Sequence, residues 1–437
     1  MTNTNETIKL ILDGAYDANF TALYGSAQVM EQRKRWADAV KSFARLYGSE
    51  RSVRLFSVPG RSEISGNHTD HNNGRVLAAA VNIDIIAVVA ERSDGTIRLK
   101  SEGFDEDVVD ISDIEPESYP KLSSRALIAG ICAGFAQRGY KIGGFDAYTT
   151  SNVIKGSGLS SSAAFEVMVA NILNVLYNGG EIPAPELAVI SQYSENEYFG
   201  KPCGLMDQTA CAVGGFVAID FEVKGKAKIE KLSFNPADKG YTLFIVNTGG
   251  SHSDLNEDYA SIPREMKAVA AKFGRDALRG ISAEELVPQI PALRAEHGDR
   301  AVLRALHFIA ENDRVAMQAD ALRDGDMDAF LDGVDASGRS SFQYLQNVFT
   351  THSPAEQGLS LALALTDTYF AARNIKRGAG GYACRVHGGG FAGTILAFVP
   401  SEQADGYRKY IDGVYGEGAC MPLQIRDEGA VELRGGM

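Results

Sequence analysis

Gly156-Ser157-Gly158-Leu159-Ser160-Ser161-Ser162-Ala163-Ala164 runs into Phe165, Met168, Ile172 and Leu176, which recur at helical spacing. Two glycines allow a tight turn and leave room for a bulky group to approach the backbone. The apolar period that follows makes the three serines the opening of a helix. A helix N-terminus offers unpaired N–H groups and a partial positive charge, which suits phosphate. The plainer alternative is a Gly/Ser loop ahead of an ordinary helix. The stretch is not a Walker A loop, because G-x-x-x-x-G-K-[ST] occurs nowhere in the chain. Backbone N–H groups would therefore do most of the holding, with serine hydroxyls adding hydrogen bonds or a Mg²⁺ ligand.

Around this loop the chain reads as alternating helix and strand. Residues 1–50 are expected to be helical, with Trp36, Val40, Phe43 and Tyr47 on one face. Strands are expected at Val53–Val58, Val76–Ala90, Thr96–Lys100 and Val108–Ile111, then a helix over Ser123–Gln137. The strand Phe145–Thr150 delivers the chain into the Gly/Ser loop, and helices follow over about 161–177 and 185–198. Beyond Gly214-Gly215 the pattern restarts with strands Phe216–Val223 and Tyr241–Thr248, mostly helix from about 255 to 374, and strands Ala383–His387 and Thr394–Val399. The class is mixed α and β, with two domains expected, 1–215 and 216–437. A chain of 437 residues exceeds one compact core and suits two.

Net charge is −13 with no block of lysine or arginine, which argues against nucleic acid and anionic membrane as partners. An anionic substrate remains compatible, since loop N–H groups and a metal ion can reverse the field locally. The five cysteines are scattered and form no C-x-x-C pair, as expected for reduced thiols in a cytoplasmic enzyme. The first residues lack the basic and apolar regions of a signal peptide. Val76–Ala90 is broken by Asn82 and Asp84 and is too short to span a bilayer.

Three further stretches carry chemistry. From Ser57 to Gly74, Pro59 and Gly60 shape a turn, and Asn67, His68, Asp70 and His71 crowd polar groups able to bind vicinal hydroxyls. A metal could use His68, Asp70 and His71, but no fourth ligand is evident, and a polar loop with local caps is the structural rival. In Glu195–Gln208, Asp207 stands among apolar neighbours at a helix start, either as a cap or as a base in a dry pocket. His387-Gly388-Gly389-Gly390-Phe391-Ala392-Gly393-Thr394 matches G-x-G-x-x-G but leads into a strand, so a dinucleotide fold fails on context. It also resembles a lipase oxyanion turn, yet no G-x-S-x-G nucleophile exists. Triple glycine is needed where backbone comes close to phosphate or a neighbouring loop.

Together these stretches resemble the galactokinases, within the galactokinase, homoserine kinase, mevalonate kinase and phosphomevalonate kinase (GHMP) superfamily. The first is similar to the signature G-R-x-N-L-I-G-E-H-T-D-Y-N, the second matches G-x-G-L-S-S-S-A-A from Gly156 to Ala164, and the third G-G-G-F-x-G from Gly388 to Gly393. Pro202–Gln208 matches P-C-G-[IL]-M-D-Q, and Ser253–Arg264 resembles H-S-x-x-x-x-Y-P-x-R-R with Tyr259 at the tyrosine. The resemblance spans roughly residues 45 to 400 and implies an α+β fold: a two-domain GHMP-type sugar kinase with its active site in the interdomain cleft. It implies ATP and Mg²⁺ as cofactors, a small sugar as acceptor, and a monomer. Asp207 would be the catalytic base at the sugar's C1 hydroxyl and Arg61 its cationic neighbour. Gly156, Ser157, Gly158, Leu159, Ser160, Ser161 and Ser162 would hold the ATP phosphates. Ser162 and Glu195 would bind Mg²⁺. Asn67, His68, Asp70, Gly204 and Tyr259 would line the sugar.

Three departures from the signature bear on its chemistry. Glu63 stands where the family has asparagine, Asn67 where it has glutamate, and His71 where it has tyrosine. The family's glutamate contacts the C6 hydroxyl, and a neutral Asn67 would no longer repel a C6 carboxylate. Galacturonate or another related sugar, such as N-acetylgalactosamine or L-arabinose, is therefore an alternative substrate. A non-catalytic sugar sensor is the rival from another class; such proteins lack part of the serine–alanine loop, which is complete here. Homoserine and mevalonate kinases lack the H-T-D and P-C-G-x-M-D-Q stretches.

Overall fold

The computed structural model describes residues 2–153, 158–223, 225–250 and 255–436. The decisive element is the long strand Arg75–Glu91, whose side chains are buried on both faces. Ala87 and Val89 join Phe56 and Val58 against the helices Ser124–Gln137 and Ser161–Tyr177. Ile86, Val88 and Ala90 pack on the opposite face against Phe20, Trp36, Val40 and Phe43. Side chains alternate across a strand, so a strand covered on both faces reads as a continuous apolar run. The N-terminal segment supplies that second cover as three helices, Thr4–Leu12, Asp17–Tyr24 and Val29–Tyr47.

Among the described residues, nine strands form one sheet and four a second. In the first, Arg75–Glu91 lies between Ser52–Ser65 and Phe145–Ser151, antiparallel to both. Thr96–Ser101 runs parallel to Phe145–Ser151 and pairs with Glu106–Asp110. Phe216–Asp220 pairs with the start of Arg75–Glu91 and with Lys228–Leu232, so the chain stays in this sheet past Gly214-Gly215. The C-terminal Val431–Leu433 returns to pair with Ser52–Ser65. The second sheet is antiparallel, in the order Ala383–His387, Thr394–Pro400, Tyr241–Asn247, Cys420–Leu423. One face carries Phe244, Val246, Ile395 and Val399 against Leu359, Phe370 and Tyr407. From the other face Leu243, Ile245, Leu396 and Phe398 enter the same apolar cluster as the first sheet.

The strand Ser52–Ser65 shifts register between Pro59 and Arg61. Proline has no N–H to give a ladder, so a bulge accommodates it. At the bulge a Cβ on Gly60 would lie 2.9 Å from the Leu159 carbonyl. Only glycine admits that approach, and Arg61 N–H then donates to Leu159 O at 3.1 Å.

Asp84 ties the N-terminal helices and the C-terminal segment to the first sheet. It is fully buried and accepts from Arg35 Nη1 at 2.7 Å and Tyr24 Oη at 2.6 Å, and also from Ser57. Arg426, itself buried, donates to Ser57 Oγ at 2.7 Å and lies 3.3 Å from Asp84. Burial alone would raise the Asp84 carboxyl, but the charges of Arg35 and Arg426 and its hydrogen bonds bring it below the ordinary value. Replacing Asp84 by Ala leaves a fully buried guanidinium unpaired and should destabilise by about 3–5 kcal/mol. Equilibrium urea unfolding measures this, and a change below about 1 kcal/mol would mean the network is idle.

Candidate active site

Asp207 lies in the first turn of the helix Met206–Val213, but its carboxylate does not cap that helix. It accepts instead from Arg61 Nε at 2.7 Å and Arg61 Nη2 at 2.6 Å, a forked pair. Ser160 Oγ also donates to it, and Arg61 Nη1 donates to the Gly158 carbonyl. The Arg61 side chain is 8% exposed and that of Asp207 31%, so the cation stands behind and the carboxylate faces outward. Burial pushes the Asp207 carboxyl up, but the Arg61 charge and hydrogen bonds from Arg61 and Ser160 outweigh it and hold it below the ordinary range. The bulge at Pro59–Arg61 and the Gly158–Ser160 turn thus meet on one carboxylate. Ser160 occupies the left-handed region (φ 55°), a conformation most side chains avoid, just before the helix Ser161–Tyr177. Ser162, in that helix's first turn, is exposed.

A cavity of about 430 Å³ opens beside the start of this helix, where Ser161 and Ser162 form part of its wall. Leu122, Leu127, Phe165 and Phe199 supply apolar surface, and Ser101 and Thr149 supply hydroxyls. A larger hollow of about 590 Å³ lies between the two chain ends and contains none of the motif residues.

The loop after Ser52–Ser65 is gripped from the second half of the chain. Gly66 N–H donates to Glu311 Oε1 at 2.9 Å, and His307 Nε2 lies 3.0 Å from the Asn67 carbonyl, both from the helix Ile290–Asp324. Asn67 is fully buried; its amide nitrogen donates to Glu63 Oε1 (2.8 Å) and Gly388 O (2.7 Å), and its Oδ1 accepts from Asn347 (2.6 Å). Glu63 is paired with the buried Arg385 at 3.1 Å. His68 Nε2 lies 2.9 Å from Gly389 O, and burial pushes its pKa down to about 4, so the ring is neutral. Asp70 abuts Gly204, where an added Cβ would collide with its carboxylate. Tyr259 Oη donates to Gly390 O at 3.0 Å, and its ring meets Phe391 edge-on at 5.5 Å. The glycine turn therefore serves the neighbouring loop and Tyr259, which explains its need for close backbone approach.

The GHMP kinases N terminal domain family matches residues 126–215, and the galactokinase galactose-binding signature matches residues 41–91. The chain is 32% identical over 378 residues to the galactokinase of Streptomyces coelicolor, covering 85% of this chain and 91% of the relative. It is 31% identical over 385 residues to that of Actinobacillus pleuropneumoniae, covering 86% and 93%. The chain belongs to the galactokinase family. Its fold is similar to that of Lactococcus lactis galactokinase complexed with galactose (TM-score 0.74, 24% identity, covering 91% of this chain and 99% of that one). It is also similar to Methanococcus jannaschii mevalonate kinase (TM-score 0.58, 14% identity, 86% and 98%).

The GHMP kinase fold expected from the motifs is thus present, and membership of a kinase family implies a nucleotide. Gly156 and Ser157, with Ser253, lie outside the described residues. Asp207, Arg61, Gly158 and Ser160 lie together, and Asp70 and Gly204 meet each other. Asn67 differs from the expectation. Every polar group of its amide is committed inside the protein, so it presents no free group to a sugar's C6 end.

Sequence reasoning missed three polar residues. Gln208 Nε2 donates to both Glu166 Oε2 (3.0 Å) and Glu195 Oε2 (2.9 Å), all three being buried. Burial and the Glu195 charge push the Glu166 carboxyl well up. Asn347, which holds Asn67, is the third. Glu166 interrupts an otherwise apolar helix face, which was a usable signal; Asn347 carried none. Replacing Arg61 by Met leaves burial as the leading influence on Asp207, so its pKa should rise above the ordinary aspartate value. A ¹³C-detected titration of the Asp207 carboxyl in the two proteins measures this; equal values would remove Arg61 from that role.

Proposed function

We propose that the chain transfers the γ-phosphoryl group of ATP to the C1 hydroxyl of galactose, with Asp207 as base. The observation that carries the reading is the forked Arg61–Asp207 pair joined by Ser160 to the start of the loop helix. An ionised, outward-facing carboxylate can accept a proton from the anomeric hydroxyl, the most acidic on the sugar. Arg61, behind it, keeps it ionised and offsets charge that develops on the transferred group. The N–H groups at the start of Ser161–Tyr177 face the phosphates, and the neighbouring cavity receives the nucleoside. Most of the rate comes from alignment and charge neutralisation, as usual in phosphoryl transfer. Asp70, held against Gly204, and Tyr259 stand near the sugar with His68.

Mg²⁺ belongs to the same proposal, held by Ser162 and Glu195. The donors are hard oxygens, and beside Glu195 the buried Glu166 Oε1 and Gln208 Oε1 have no hydrogen-bond partner. Among the described residues no group of three or more His, Cys, Asp or Glu forms a metal cage. That suits Mg²⁺, which takes one or two carboxylates and completes its shell with phosphate oxygens and water. When bound, it would neutralise phosphate charge. All five cysteines are unpaired, which supports the reducing, cytoplasmic setting expected from their spacing. A monomer is part of the same reading.

Asp207→Asn should keep ATP binding while turnover falls by about 10²–10⁴-fold. A coupled ADP-release assay with galactose, paired with calorimetry of ATP binding, reads both. Near-normal turnover would remove Asp207 from its role, and no galactose-dependent ADP release by the wild type would favour a sugar sensor or another acceptor. A panel with galacturonate, N-acetylgalactosamine and L-arabinose then fixes the sugar.

A further inference from the structure

His387, at the end of the strand Ala383–His387, is used by no step above. It is 2% exposed. Its Nε2 lies 3.1 Å from Ser62 Oγ, on the residue that follows Arg61. Its Nδ1 lies 2.9 Å from Thr394 Oγ1, where the chain re-enters the second sheet after the glycine turn. The same edge of the ring packs on the phosphate loop, since a Cβ on Gly158 would come within 3.0 Å of Nδ1 and 3.3 Å of Cε1. Gly158 is also the residue whose carbonyl receives Arg61 Nη1. One planar side chain therefore touches three segments: the strand that carries Arg61, the turn that carries Ser160, and the hairpin of the second sheet.

Burial, then the charges of Arg61 and Arg385, hold the His387 ring far below its ordinary pKa. The ring is therefore neutral, with one nitrogen donating and the other accepting, and each nitrogen has one hydroxyl to meet. A rigid ring between two hydroxyls fixes a distance that a flexible chain would not. Phosphoryl transfer depends on such fixed distances, because the attacking oxygen must lie in line with the phosphorus.

We propose that His387 is a positioning residue for the transfer reaction, a strut that sets Arg61 and the Gly158 turn at a fixed distance from the second sheet. This rests on the kinase reading above. The contacts of His387 are with Ser62, Thr394 and the Gly158 turn, so it acts on alignment.

The test is steady-state kinetics of His387→Ala with galactose and ATP, with and without added imidazole. The expected result is a fall in kcat of at least about tenfold, the scale of a sub-ångström misplacement, with KM for galactose little changed. Imidazole should restore part of the lost kcat in the variant and leave the wild type unaffected. Unchanged kcat, a rise in galactose KM at retained kcat, or a loss that imidazole does not relieve would overturn the proposal. Should the alanine variant fail to fold, His387→Asn, which keeps a polar atom near the Nδ1 position, is read by the same kcat and KM split. Failure of the kinase reading shows separately, as absence of galactose-dependent turnover in the wild type.

Discussion

The forked contact between Arg61 and Asp207 brings together residues 146 positions apart in the chain. Arg61 comes from a bulge that a proline and a glycine impose on the strand Ser52–Ser65, Asp207 from the opening turn of a short helix. A guanidinium placed behind a carboxylate loses much of its hydration, and only a bidentate geometry repays that loss. Here both nitrogens of the fork are used and the remaining one holds the Gly158 carbonyl, so the cation is fully engaged. The carboxylate keeps part of its surface open, whereas the guanidinium is almost wholly enclosed.

That pair would be useless if the halves of the molecule drifted. The second sheet turns one face into the apolar cluster of the first, which gives non-directional cohesion. Direction comes from polar contacts that cross between the halves: Gly66 to Glu311, Asn67 to His307, Asn347 and Gly388, Arg385 to Glu63. Apolar contacts tolerate sliding, whereas buried hydrogen bonds lose about 1–3 kcal/mol when a partner is left unmet. The loop expected to bind sugar is thus held by groups that cannot move independently.

Much of this was legible before any coordinates. Helical spacing from Phe165 to Leu176 located the loop helix, and the near-apolar run at Val76–Ala90, broken by Asn82 and Asp84, read as a buried strand. The strand Lys228–Leu232 was missed because its side chains are mostly accessible and give no apolar period. Val431–Leu433 was missed because three residues become a strand only by finding Ser52–Ser65 far away in sequence. At the site, motif spacing placed Asp207 and Arg61, because backbone geometry decides where they go. It could not place the Asn67 side chain, whose direction is set by Asn347 and Gly388, residues roughly 280 and 321 positions later.

The positions of Glu63 and Asn67 are best understood as one choice. Relative to the family signature, amide and carboxylate have changed places, and in the structure the two side chains touch at 2.8 Å. An amide at 67 can donate to Glu63 and to the Gly388 carbonyl while accepting from Asn347 and, at 3.5 Å, from Ser341 Oγ. A carboxylate at 67 has no proton to give and would face both the Glu63 charge and a carbonyl oxygen at a fully buried position. Glu63 in turn stands beside Arg385, so the negative charge that the signature places at the loop lies here in a buried ion pair. The charge has moved inward by four residues, and Asp70 is the acidic residue left in the loop after Ser52–Ser65.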